Sequence, residues 1–175
     1  MTEPTDAVAT CYPEGAPADF PLDLFAPVPD ADACVIRDAA LQERIETLEN
    51  ILLDGPTLEM PTDDQFADGV YVRTLFMPKG AVVVGRVHLR ECVNIMISGD
   101  ITLLTVDGPV RFKAPQIFKS AAGTKKVAYI NEDTAWATTH SLEPMSPDEA
   151  MDALSVPTFK QYHALIEAQA KEALT

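Results

Sequence analysis

Apolar residues recur along this chain at two different periods, and the change of period divides it. Leu41, Ile45, Leu48 and Leu52 are spaced 4, 3 and 4 apart, the stripe of an amphipathic helix over 34–53. Asp54-Gly55-Pro56 is a stop signal for that helix. The stripe is equally a two-heptad coiled-coil seam, so it can pack on its own chain or pair between copies. From Val70 the period becomes two. Val70–Met77, Ala81–Arg90, Val93–Ile97, Ile101–Val106, Val110–Lys113, Gln116–Ser120, Val127–Ile130 and Thr134–His140 read as strands. Turns rich in Gly, Asp and Asn separate them, and no helical stretch intervenes. Without crossover helices a parallel sheet cannot be built, so the expected fold is mainly β, an antiparallel barrel over 66–142. After Pro144 the helical period returns. Ser146-Pro147-Asp148-Glu149 is a capping box with proline at the first helical position. A further helix is expected from about Pro157, with Phe159, Tyr162, Leu165 and Ile166 on its apolar face, giving a helical segment over 146–175.

Residues 1–33 have neither period. Pro4, Pro13, Pro17, Pro21, Pro27 and Pro29 disfavour regular structure. Tyr12, Phe20, Leu22, Leu24, Phe25 and Val28 are many apolar residues for a plain linker. A disordered tail and an extended arm lying on a neighbouring subunit are both open. The expected organisation is an arm over 1–33, a helix over 34–56, the barrel and the C-terminal helices.

Charge narrows the partners. Lys plus Arg number 13 and Asp plus Glu 27, a net charge of −14. Such a surface repels phosphate backbones and anionic lipids, so neither nucleic acid nor membrane is expected as a partner. No apolar run reaches the roughly 18 residues that span a bilayer. The opening MTEPTDAVAT has no basic stretch and no apolar stretch, so no secretory signal is expected. Cys11, Cys34 and Cys92 are scattered and odd in number, which argues against a disulfide framework or a zinc knuckle. Cys92 reads as a small buried apolar residue of a strand.

The strand-and-turn run resembles the cupin superfamily, the RmlC-like jelly rolls. That family's first motif is Gly, five residues, His-x-His, three or four residues, Glu, six residues, Gly. Here Gly80 is followed by Arg86, Val87 and His88, then Cys92, then Gly99. The intervals match, and of three ligand positions only His88 is kept. The second motif, Gly, five residues, Pro-x-Gly, two residues, His, three residues, Asn, is matched weakly. Gly123 takes its inner glycine and Lys126 its histidine. Ala122-Gly123-Thr124-Lys125-Lys126 with Glu132-Asp133-Thr134-Ala135-Trp136-Ala137-Thr138-Thr139-His140 is similar to small cupin-type proteins of tailed bacteriophages. The resemblance covers residues 70–140.

It implies that the chemistry lies in the departures. Cupin enzymes hold Fe, Mn, Ni or Zn on three histidines and a glutamate. Strand alternation would put Arg86, His88 and Arg90 on one face. Arg86 and Lys126 are cations with no lone pair to give, so no cofactor is expected. The leading expectation is a non-catalytic structural or interaction protein associated with a virion, of cement, decoration or tail-adaptor type. It would bind itself as a homo-oligomer, along with other virion proteins, and reside in the virion or the host cytoplasm. Two alternatives stand beside it. One is a metal-dependent cupin enzyme, of oxygenase or isomerase type, with a divalent transition metal on His88, Cys92 and His140. The other is a binding module whose Arg86, His88, Arg90 and Lys126 hold a small anion at the barrel mouth. Salt bridges of these cations to Glu91 or Asp133 would compete with that role. His163 belongs to the last helix and is expected at the surface. No nucleophile elbow and no Gly-rich phosphate loop occurs.

Overall fold

The computed structural model describes residues 8–11, 34–105 and 107–174. In chain order they form β1 (Val8–Cys11), α1 (Cys34–Leu53), β2 (Thr62–Ala67), β3 (Val70–Met77), β4 (Ala81–Val84) and β5 (Val87–His88). These are followed by β6 (Cys92–Thr105), β7 (Gly108–Lys113), β8 (Gln116–Ser120), β9 (Val127–His140), α2 (Pro147–Leu154), β10 (Ser155–Val156) and α3 (Phe159–Glu172). The fold is mainly β and antiparallel, with helices at both ends, as the periodicity predicts.

Two long strands, β6 and β9, organise it. The sequence breaks each into two segments, at Ser98-Gly99-Asp100 and at Asn131-Glu132-Asp133. The structure instead runs each strand through its break as an irregular stretch, where the β6–β9 register shifts between Met96 and Ile101. One half of β9 pairs with β3 and the other with β4. Likewise β6 pairs with β8 through Cys92–Met96 and with β7 through Asp100–Thr105. The result is two layers that share their central strands, β2-β3-β9-β6-β8 and β1-β4-β9-β6-β7. Extra residues bend and twist a strand, which is how one sheet turns a corner.

The layers face each other across a core of Met77, Val83, Met96, Ile101, Leu103, Ile130 and Trp136. The second layer is also covered outside. Ile45, Leu48 and Leu52 of α1 are 2%, 0% and 1% exposed and pack on Val82, Val84, Leu104 and Val127, with Phe159 of α3. The stripe is therefore satisfied within its own chain and offers no seam to a second copy. Among the described residues the first layer has no helical cover of that kind, and Val93, Ile97 and Ile117 lie exposed on it. α2 closes the end of the barrel by packing Ala150 and Leu154 on Tyr71 and Leu142. Its capping box forms: Ser146 Oγ accepts from Glu149 N at 3.3 Å, and Glu149 accepts from Ser146 N at 3.0 Å.

Three sequence expectations need correction here. Val8–Cys11 of the supposed arm is a strand paired antiparallel with β4 of the same chain. The rest of 1–33 lies outside the described residues. β2 was not anticipated, although Asp68-Gly69 is a hairpin signal between it and β3. The expected strand Ala81–Arg90 is interrupted after Val84, and only Val87–His88 resumes, in a separate pairing with β10. The interruption arises in the ladder itself: Gly85 N donates to Lys126 O at 2.9 Å and His88 N to Thr124 O at 3.0 Å, so the strand leaves β9 for the loop before it. No helix among the described residues is long and apolar enough to cross a membrane.

Candidate functional site

β5 lies between β10 and the 121–126 loop, and this position builds the site. Gly123 N donates to His88 O at 2.7 Å, locking the loop to β5. His88 and Lys126, the two positions that the sequence resemblance aligns with metal-binding histidines, thereby meet, with Lys126 Nζ 3.3 Å from His88 Nε2. On the other side of the ring, His88 Nδ1 lies 3.8 Å from Cys92 Sγ, at the start of β6. His140, the last residue of β9, stacks on His88 with ring centroids 5.8 Å apart. One donor atom each from His88, Cys92 and His140 lies within 4.8 Å of the others. The three residues named for a metal thus converge.

His88, Lys126 and His140 edge a cavity of about 570 Å3 between the layers. Leu75, Met77, Val83, Leu103, Ala128 and Trp136 form most of its wall. Burial dominates the electrostatics. It pushes His88 down to about 3, helped by the Lys126 charge and His140. His140 falls to about 4 by burial, then by Lys126 and Arg90. Lys126 itself is lowered to about 8 by burial. Burial raises the Cys92 thiol. At neutral pH both imidazoles are therefore neutral and Lys126 carries most of a positive charge. His88 Nε2 then accepts from the ammonium, which leaves its proton on Nδ1, toward Cys92.

The four residues named for an anion are not brought together. Arg86 and Lys126 line the cavity, but the Arg86 guanidinium is engaged elsewhere. Its Nε donates to Ser155 Oγ at 2.8 Å, and its terminal nitrogen reaches Ser155 O at 3.1 Å and Asp152 at 3.4 Å. Arg86 ties β5 to the end of α2. Arg90 is exposed and borders a second, more open cleft beyond Cys92 and His140. The break in the strand after Val84 removes the alternation that would have aligned Arg86, His88 and Arg90. Glu91 pairs with Lys119, and Asp133 accepts from Lys79 N, so neither competes for Lys126. Among the described residues no carboxylate pairs with Lys126. His163 is exposed and bonds Gln42 across 3.1 Å, as a surface residue should.

Several neighbours carried no motif. Asn94, fully buried, donates to Ser120 Oγ at 2.9 Å and Phe118 O at 3.2 Å and accepts from Trp136 Nε1 at 3.3 Å. Tyr71 donates to Asp64 at 2.5 Å, and burial with that bond pushes it up to about 12. The one signal available for them was parity. Cys92, Asn94 and Met96 alternate on β6 and are all buried, facing the core. The Nδ1 atom of His140 is buried and has no hydrogen-bond partner among the described residues.

The folded chain is similar to solved cupins. One is an acetylacetone dioxygenase from Acinetobacter johnsonii, with a TM-score of 0.41 and 10% identity. The match covers 47% of this chain and 59% of the dioxygenase, so it spans little more than half of that protein's length. A second is an RmlC-like cupin family protein with a double-stranded β-helix fold from Methanocaldococcus jannaschii, at 0.42 and 12%, covering 54% of this chain and 86% of the other. A third is a cupin superfamily protein from Desulfitobacterium hafniense, at 0.42 and 7%, covering 68% and 98%. No family model matches the sequence, and no curated protein matches it.

Proposed function

We infer that this chain is a binding protein whose barrel takes a small organic anion beside Lys126. One observation carries the reading: a cation facing a roomy cavity, whose only polar partner among the described residues is a neutral imidazole. A buried charge is costly unless something compensates it. Here no carboxylate does so among the described residues, and an anion entering the cavity would. A barrel kept only as scaffold gains nothing from retaining that charge inside. The test is a thermal-shift series on the full chain after dialysis against chelator. Small organic anions should raise the melting temperature of the wild type and leave Lys126→Met unmoved. Equal shifts in both proteins would end the reading.

A second reading has its own observation, the convergence of His88, Cys92 and His140 with an orphaned His140 nitrogen. Two imidazoles and a thiolate are three donors, the count of an open metal centre. Such residues would hold a divalent transition metal, which would supply Lewis acidity. The Lys126 ammonium opposes it, because a second cation would have to settle beside the first. Elemental analysis of untagged protein separates the two. Stoichiometric metal that is lost in Cys92→Ser would replace the anion reading with the metal one.

The virion-associated role is a further proposal that rests on the Ala122–Lys126 and Glu132–His140 phrases alone. Mass spectrometry of purified particles tests it, and absence of the chain would end it.

A further inference from the structure

The cavity's charges identify the kind of anion. Four charged residues line it: Glu59, Arg73, Arg86 and Lys126. Arg73 pairs with Asp64 at 3.2 Å and Arg86 with Asp152 at 3.4 Å. Glu59 is exposed. Among the described residues the interior therefore carries one uncompensated positive charge, on Lys126. Its hydrogen bond to His88 uses one of three N–H donors, which leaves two for a ligand. Away from that corner the wall is mostly Leu75, Met77, Val83, Leu103, Ala128 and Trp136, while of its polar residues Arg73 is held by Asp64 and Asn94 by Phe118 O and Ser120. The apolar residues accept hydrocarbon and have no partner for a second charged group.

We propose that the ligand is a monocarboxylate with an apolar alkyl or aryl body, its head on Lys126 and its body along Trp136. The class rests on the anion-binding reading above and sharpens it. A carboxylate matches the lone ammonium in charge and offers two acceptor oxygens to its two free donors. A second negative charge would be stripped of water against apolar side chains with nothing to answer it. A volume of about 570 Å3 lies within the range that holds ligands of some ten to twenty heavy atoms. A bare acetate would leave most of the apolar wall unfilled and bind weakly, because burial of the body supplies much of the affinity.

Trp136 is the only tryptophan and lines the cavity, so its emission reports entry. The full chain, freed of metals, is titrated with octanoate, phenylacetate, acetate, succinate, inorganic phosphate and octan-1-ol. Octanoate or phenylacetate should bind at least tenfold more tightly than the other four. Lys126→Met should lower octanoate affinity at least tenfold and leave octan-1-ol unchanged, with Lys126→Arg restoring part of the loss. Succinate or phosphate binding as tightly as octanoate would overturn the monocarboxylate class while the anion reading stands. Octan-1-ol binding as tightly as octanoate, or no response to any anion, would overturn both. The wild-type panel decides this even if the variants fail to fold.

Discussion

At the scale of single residues, Lys126 sets the behaviour of the site. Its folded pKa of about 8 lies below the ordinary 10.5, because burial disfavours the charge. Between those values the unfolded chain binds more protons than the folded one, so stability rises with pH across that window. Below pH 8 the full cost of the buried charge is present, on the order of 3 kcal/mol. In chelator-treated protein without ligand, denaturant midpoints should therefore climb from pH 8 to pH 10, and Lys126→Met should flatten the climb. Glycines give a second contrast. Gly99 has φ +100°, and an added Cβ would stand 2.7 Å from Asp133 O. Gly69 has φ +72° but open space around it. Gly99→Ala should cost roughly 3 kcal/mol or more, against about 1 kcal/mol for Gly69→Ala, measured by urea unfolding.

At the scale of elements, α1 is part of the core. Leu48 is fully buried against the β4 face of the second layer. Leu48→Ala should lower stability by about 2–5 kcal/mol. Sedimentation of the protein that remains folded should show an unchanged mass, because the stripe is not an interface between copies. The helix was legible in the sequence from its spacing, and its stop at Asp54-Gly55-Pro56 was too. What the stripe packs on was not, since a heptad pattern describes a burial need and not the surface that meets it. α2 was equally legible, down to its capping box, because a cap is a contact between residues three apart. Ser146→Ala should cost about 1 kcal/mol.

At the scale of the whole molecule, one buried lysine joins the helices of both ends to the barrel. Lys125 Nζ donates to Glu49 of α1 at 2.5 Å and to Pro157 O, just before α3, at 2.8 Å. Its side chain is fully buried, and Glu49 is left 17% exposed. Lys125→Ala leaves a part-buried carboxylate and a carbonyl without their partner. It should cost roughly 3 kcal/mol, the low end for a broken buried pair, because Glu49 can regain some water. A melting curve checks this. Neighbouring Lys126 points to the cavity instead. The motif interval singles out Lys126 for the site, but nothing in the sequence tells that Lys125 is buried between the helices of both ends; only the fold assigns it to structure.

By itself the sequence determined what depends on near neighbours: strand and helix periods, turns, caps, and the antiparallel character that follows from lacking crossovers. It also placed His88, Cys92 and Lys126 by motif interval, and these do meet. The tertiary structure decided what depends on distant pairs. The break at Gly85, imposed by pairing with the 121–126 loop and β10, sent Arg86 to Ser155 and Arg90 to the outside. Strand alternation predicts that both share a face with His88, but alternation holds only while a strand stays in one ladder. Whether a cation is paired is likewise a property of the folded whole: the carboxylate that neutralises Arg86 lies 66 residues away along the chain.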